Sequence, residues 1–141
     1  MLYEEFSTYK NFAGEDVYFN IFDDKQDVLY NLNPKFSIRN YQKEAIGRFY
    51  YYFENYPKRQ NPVHLLFNMA TGSGKTLIMA ANILYLYTKG YRKFIFFTRL
   101  GNIIQKTKAN FLDPHSSKYL FADKIVIDGK EIRRSEEHTS E

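Results

Sequence analysis

The chain has 141 residues, with 20 Lys and Arg against 16 Asp and Glu, for a formal charge of +4. That length suits one domain with a core of its own, and the absence of cysteine excludes a disulfide scaffold, a thiolate zinc site and a cysteine nucleophile. No apolar run approaches a membrane span, and the acidic start MLYEEFSTYK lacks the basic and apolar regions of a signal peptide, so a soluble, cytoplasmic protein with no membrane partner is expected.

Residues 1–33 carry two basic residues (Lys10, Lys25) against seven acidic ones and mix aromatics with turn residues. They read as a variable acidic lead-in of two short strands or irregular structure. Asn33-Pro34 marks a break. From Asn40 to about Tyr56, Tyr41, Ala45, Ile46, Phe49, Tyr52 and Phe53 recur at helical spacing, with Asn40 as cap, Glu44 as an early acid and Pro57 just past the end. Val63-His64-Leu65-Leu66-Phe67 predicts a strand buried on both faces, with His64 a satisfied core residue. Turn chemistry follows over Ala70–Gly74. Lys75 to Lys89 predicts a helix closed by Gly90. Phe94–Phe97 predicts a second buried strand, Asn102 to about Leu112 a helix stopped by Asp113-Pro114, and Ile125–Ile127 a third strand. Asp128-Gly129 is a tight-turn pair. The alternation predicts an α/β fold, a parallel sheet with helices on its faces. Residues 34–133 hold 17 basic and six acidic residues, and such a basic body suits a polyanion such as nucleic acid or nucleotide. An aromatic content of 18% argues against general disorder.

The sharpest feature is Ala70-Thr71-Gly72-Ser73-Gly74-Lys75-Thr76, set between a strand and a helix. Gly72 and Gly74 let the backbone curl its N–H groups inward as an anion nest. The following helix adds its positive end and free N–H groups. Lys75 brings a cation to the β and γ phosphates, and the Thr76 hydroxyl suits Mg²⁺. Met69 stands where the strict pattern has glycine. The residues by themselves support binding of ATP or GTP.

Met69 to Thr76, MATGSGKT, resembles motif I of superfamily two helicases and translocases. Upstream, the run Phe36 to Ile46 (FSIRNYQKEAI) resembles the Arg-x-Tyr-Gln segment that precedes motif I in those enzymes. The resemblance implies that Gln42 reads adenine, for which a side-chain amide is suited, and that Arg39 supports the base. An exposed helix residue is the competing reading of Gln42. Phe96–Leu100 stands in the place of motif Ia, which implies that Thr98 and Arg99 touch the nucleic-acid backbone; a solvated loop arginine is the competing reading there. Lys93–Thr98, Asn102–Phe111 and Ser117–Phe121 are similar to the segment after motif I in the restriction subunit of type III restriction–modification enzymes. The resemblance covers about residues 34–130. It implies a partial RecA-like domain over 34–133, with ATP and Mg²⁺ as cofactors, Lys75 as the catalytic lysine, DNA as substrate, a methyltransferase partner and a nuclease region far downstream.

Hydrolysis also needs a strand-end acidic pair and an arginine. Asp123, Asp128 and Glu131 read as solvated instead, so the chain is expected to bind nucleotide weakly at best and not to turn it over. The last eight residues, RSEEHTSE, match the translation of a common sequencing adapter, and 134–141 read as a non-native tail in which His138 has no role. His115 reads as a loop residue. The expectation is the front part of a longer enzyme, with exposed sheet edges, an open core face and poor solubility in isolation. A small kinase or GTPase, and a non-catalytic nucleic-acid-binding module, stay open as other classes.

Overall fold

The computed structural model describes residues 1–23 and 26–132; the tail 134–141, with His138, lies outside them. The acidic lead-in is helical, which corrects the expectation of strands. Helix α1 spans Leu2–Ala13 and α2 spans Glu15–Asp23. Glu4 and Glu5 sit in the first turn of α1, and Glu15 and Asp16 in that of α2. There the acids meet the positive end of each helix dipole. Phe6 and Tyr18 form a small core with Leu2, Phe19 and Tyr51.

A short 3₁₀ turn, Gln26–Asn31, leads on to α3 (Asn40–Asn55), α4 (Lys75–Thr88) and α5 (Gly101–Leu112). These three helices fall where the periodicity put them, to within a residue or two. The cap of α3 differs: Asn40 is already helical, and the Arg39 N–H is held by Gln42 Oε1 at 2.9 Å. Helices α3 and α4 form the main core. Ile46 and Tyr50 pack on Leu77, Ile78, Ala81, Leu84 and Tyr85. Ala80 and Ala81 are fully buried, and their small side chains let α3 come close. The Tyr50 and Tyr85 rings stack at 3.9 Å, and the Tyr50 hydroxyl donates to the Ala81 carbonyl at 3.1 Å.

The chain after α5 returns across this core through Tyr119, Leu120 and Phe121. It lies antiparallel to residues 31–33: the Asn33 N–H donates to Leu120 O and the Ala122 N–H to Asn31 O, both at 2.8 Å. The buried Asn31 amide then mimics a strand neighbour for Val126, donating to its carbonyl at 3.0 Å and accepting its N–H at 2.8 Å.

The parallel sheet is not present among the described residues. The sheet there is one antiparallel hairpin, β1 (Ile125–Ile127) with β2 (Lys130–Ile132), pairing Ile125 with Ile132 and Ile127 with Lys130. Asp128 and Gly129 make its turn, with φ of 52° and 74°. Two positive φ values in a row are what a two-residue hairpin needs. The other two expected strands are extended chain without a ladder. Over 63–69, Val63, Leu65, Phe67 and Met69 are half-buried, while His64 and Leu66 face outward. His64 is therefore not a core residue. Phe94 to Phe97 are all exposed, Phe97 by 85%. A strand needs a neighbour for its N–H and C=O groups, and neither run has one among the described residues. Both are extended apolar chain, the first covered on one face and the second exposed. Asp128 and Glu131 are exposed, as expected, and His115 sits in the turn after α5. Among the described residues no helix is long and apolar enough to cross a membrane.

Candidate functional site

The extended run 63–69 delivers the chain to a turn over Ala70–Gly74, and α4 begins at Lys75. The Ser73 N–H donates to Ala70 O at 3.2 Å, which closes the turn. Gly74 has φ 83° and ψ 33°, left-handed geometry at the N-terminus of α4. An L side chain there is strained by the backbone alone. A Cβ on Gly74 would also stand 2.3 Å from Gln42 Nε2, so the glutamine amide would have to move away.

That close approach brings two sequence landmarks together. Gln42 is 5% exposed, which removes the exposed-helix reading. Its Oε1 accepts the Arg39 N–H, and its Nε2 donates to the Ser73 carbonyl at 3.0 Å. The same carbonyl accepts from the Tyr41 hydroxyl at 3.0 Å. The first turn of α3 thus pins the crest of the loop with two neighbouring side chains. Tyr41 is a contact the sequence reading missed, having been assigned to the apolar stripe. Its signal was its place beside Gln42 in the Arg-x-Tyr-Gln segment. Arg39 joins the site through its backbone, and its side chain is exposed.

Lys75 turns its ammonium back over the loop, donating to Met69 O at 2.9 Å and Ala70 O at 3.0 Å. It is exposed, so the cation is parked at the mouth of the loop on groups that an incoming anion can replace. Ser73 Oγ is buried with no hydrogen-bond partner among the described residues. Thr76 is half-buried in the first turn of α4. The described residues include no group of three or more His, Asp or Glu able to hold a metal ion by itself. A divalent cation here would come with phosphate oxygens, and Thr76 would add one hydroxyl oxygen.

Thr98 is half-buried and Arg99 exposed, on the connection into α5. The hydrogen bonds described above reach the loop from α3 and from Lys75, not from this connection. Between 63–69, α4, residues 92–96 and α5 lies a cleft of about 1140 Å³, with Met69 and Lys75 among the residues around it. Phe67, Ile83, Phe94 and Phe111 line it. Its apolar walls are those of an open core rather than a phosphate site.

Residues 35–141 match the family described as type III restriction enzyme, res subunit. A protein named "Probable type III restriction-modification enzyme HindVIP Res subunit", from Haemophilus influenzae (strain ATCC 51907 / DSM 11121 / KW20 / Rd), is 39% identical over 137 residues. The match takes in 83% of this chain and 27% of that protein, so the chain spans about a quarter of its relative's length. No solved structure matches the chain significantly. With a glycine loop between an extended run and α4, a glutamine docked on it, and a family match over most of its length, the chain belongs to the type III restriction enzyme res subunit family.

Proposed function

We propose that this chain is a nucleotide-binding part of an ATP-dependent DNA helicase or translocase, the restriction subunit of a type III restriction–modification system. The observation that carries the reading is the docking of Gln42 on Ser73, at a glycine loop that opens a helix. The loop N–H groups and the start of α4 would receive the phosphates. Lys75 would leave the Met69 and Ala70 carbonyls for the β and γ oxygens, exchanging neutral acceptors for charged ones. Gln42 would exchange its backbone partners for the adenine edge, with Arg39 beside it. Mg²⁺ would offset phosphate charge, held in part by the Thr76 hydroxyl. Thr98 and Arg99 would contact the DNA backbone.

The acidic pair and the arginine that hydrolysis needs are taken to lie elsewhere in the intact enzyme, so this chain binds ATP without turning it over. A methyltransferase subunit is the expected partner, and DNA the expected substrate. The test is nucleotide affinity with and without Lys75→Ala. The variant should keep its helical spectrum and lose roughly tenfold or more in ATP affinity, since a charge-assisted contact is removed. ATP affinity equal to the unsubstituted protein would sink the reading. DNA affinity indifferent both to ATP and to Lys75→Ala would favour a plain nucleic-acid-binding module.

A further inference from the structure

The lead-in stands apart from the glycine loop, yet its contacts with α3 are specific. Tyr18 is fully buried. Its hydroxyl donates to Glu44 Oε1 at 3.0 Å and accepts from Arg48 Nε at 2.7 Å. Arg48 closes the triangle with a 2.7 Å bond to the same carboxylate oxygen. Lys10 of α1 stands 3.7 Å from the other oxygen. Burial pushes the Tyr18 hydroxyl up to about 12. Farther along α3, Phe6 meets Tyr51 edge to face at 5.9 Å. Just past its end, the Tyr56 hydroxyl donates to Glu5 at 2.9 Å. The lead-in therefore grips α3 near both ends.

The opposite side of α3 serves the loop. Gln42, Ile46 and Tyr50 recur at four-residue spacing and are buried. Glu44 lies two residues from Gln42, about 200° around the helix. The helix is thus held from behind by the lead-in while its first turn bears on Ser73 and Gly74. The two meet closely, with Gln42 Nε2 lying 2.3 Å from where a Gly74 Cβ would stand and bonded to the Ser73 carbonyl at 3.0 Å.

We propose that Tyr18, Glu44 and Arg48 are positioning residues: through them the lead-in sets how closely the first turn of α3 approaches the phosphate loop, and so tunes the adenine preference of the nucleotide site. This rests on the reading of Gln42 as the residue that meets the base. A brace of this kind has to be stiff, and hydrogen bonds to charged groups sheltered from water are the stiffest contacts available.

Tyr18→Phe keeps the ring and removes the hydroxyl. ATP and GTP affinities are compared in the full-length protein for the unsubstituted form, Tyr18→Phe, Gln42→Ala and the double variant. Gln42→Ala should lower the ATP to GTP affinity ratio about tenfold, whatever it does to both through the loop. Tyr18→Phe should lower ATP affinity about three- to fivefold, with GTP unchanged. The double variant should lose no more than Gln42→Ala, because both act through one contact. Glu44→Gln, which keeps shape and weakens the charge-assisted bonds, should shift the ATP to GTP ratio in the same direction and serves if Tyr18→Phe does not fold. A merely structural role would lower melting temperature, or both affinities together, and leave the ratio alone. An unchanged ratio in folded Tyr18→Phe and Glu44→Gln, or additive losses in the double variant, overturns the brace and leaves the role of Gln42 standing. An unchanged ratio in Gln42→Ala overturns base reading by Gln42, and the brace with it.

Discussion

Helices α3 and α4 and the extended runs at 63–69 and 92–98 are all rich in apolar and aromatic side chains, yet they end in opposite surroundings. Tyr50 and Tyr85 are stacked and buried between the two helices, while Leu66 and Phe97 are 91% and 85% exposed. The difference lies in the backbone. A helix satisfies its own N–H and C=O groups and needs a partner only for its apolar stripe. Helices α3 and α4 supply that stripe to each other. A strand needs a partner for its backbone before its side chains can be enclosed on two faces. The run 63–69 finds cover on one face, from Phe49 and the α4 core, and 92–98 finds almost none.

The largest break of this contrast should come from Tyr50→Ala. It removes the stacked ring and the hydroxyl from the α3–α4 interface and should cost about 3–5 kcal/mol in denaturant unfolding, as large-to-small core changes do. A loss under about 1 kcal/mol would mean that this interface is not the organising core. Asn31→Ala comes next. It strips both bonds from Val126 and should cost about 1–3 kcal/mol, with amide exchange accelerated first in β1 and β2. Unchanged exchange in the hairpin would show that Asn31 is not what holds it.

Alkaline titration sharpens the same contrast. Burial raises the hydroxyls of Tyr50 and Tyr85, and brings Tyr18 from 10.0 to about 12. Above pH 10 the unfolded chain loses these protons first, so stability should fall as pH rises from 10 towards 12. Ionisation of these three hydroxyls before the helical signal is lost, read as the difference between the titrations of the protein and of its single Tyr→Phe variants, would contradict this. The smallest effect is expected from Phe97→Lys. It should change stability by no more than about 0.5 kcal/mol, because the ring touches little, and should reduce self-association of the isolated chain. A cooperative melt by an isolated chain that is monomeric at high concentration would show that these apolar runs are already covered.

The glycine loop was legible because its determinants are local. Positive φ at Gly72 and Gly74, and a helix that opens at Lys75, follow from a few adjacent residues. The Asp128-Gly129 turn was legible for the same reason. The lead-in was not. Its acids and aromatics looked like turn and strand chemistry, and its helices are stabilised by contacts such as Tyr18 with Glu44, 26 residues apart. Spacing to the loop hinted at the docking of Gln42, but its burial and its bond to Ser73 depend on how α3 lies against α4.

The sequence by itself determined the three main helices, the glycine loop that opens α4 and the hairpin turn, because periodicity and left-handed backbone act over a few residues. The tertiary structure alone decided that the lead-in folds onto the back of α3, that Gln42 and Tyr41 meet at Ser73, and that two strand-like runs have no strand partner among the described residues. Those outcomes depend on partners distant in the chain, and an apolar run carries no local signal of whether its partner is within reach.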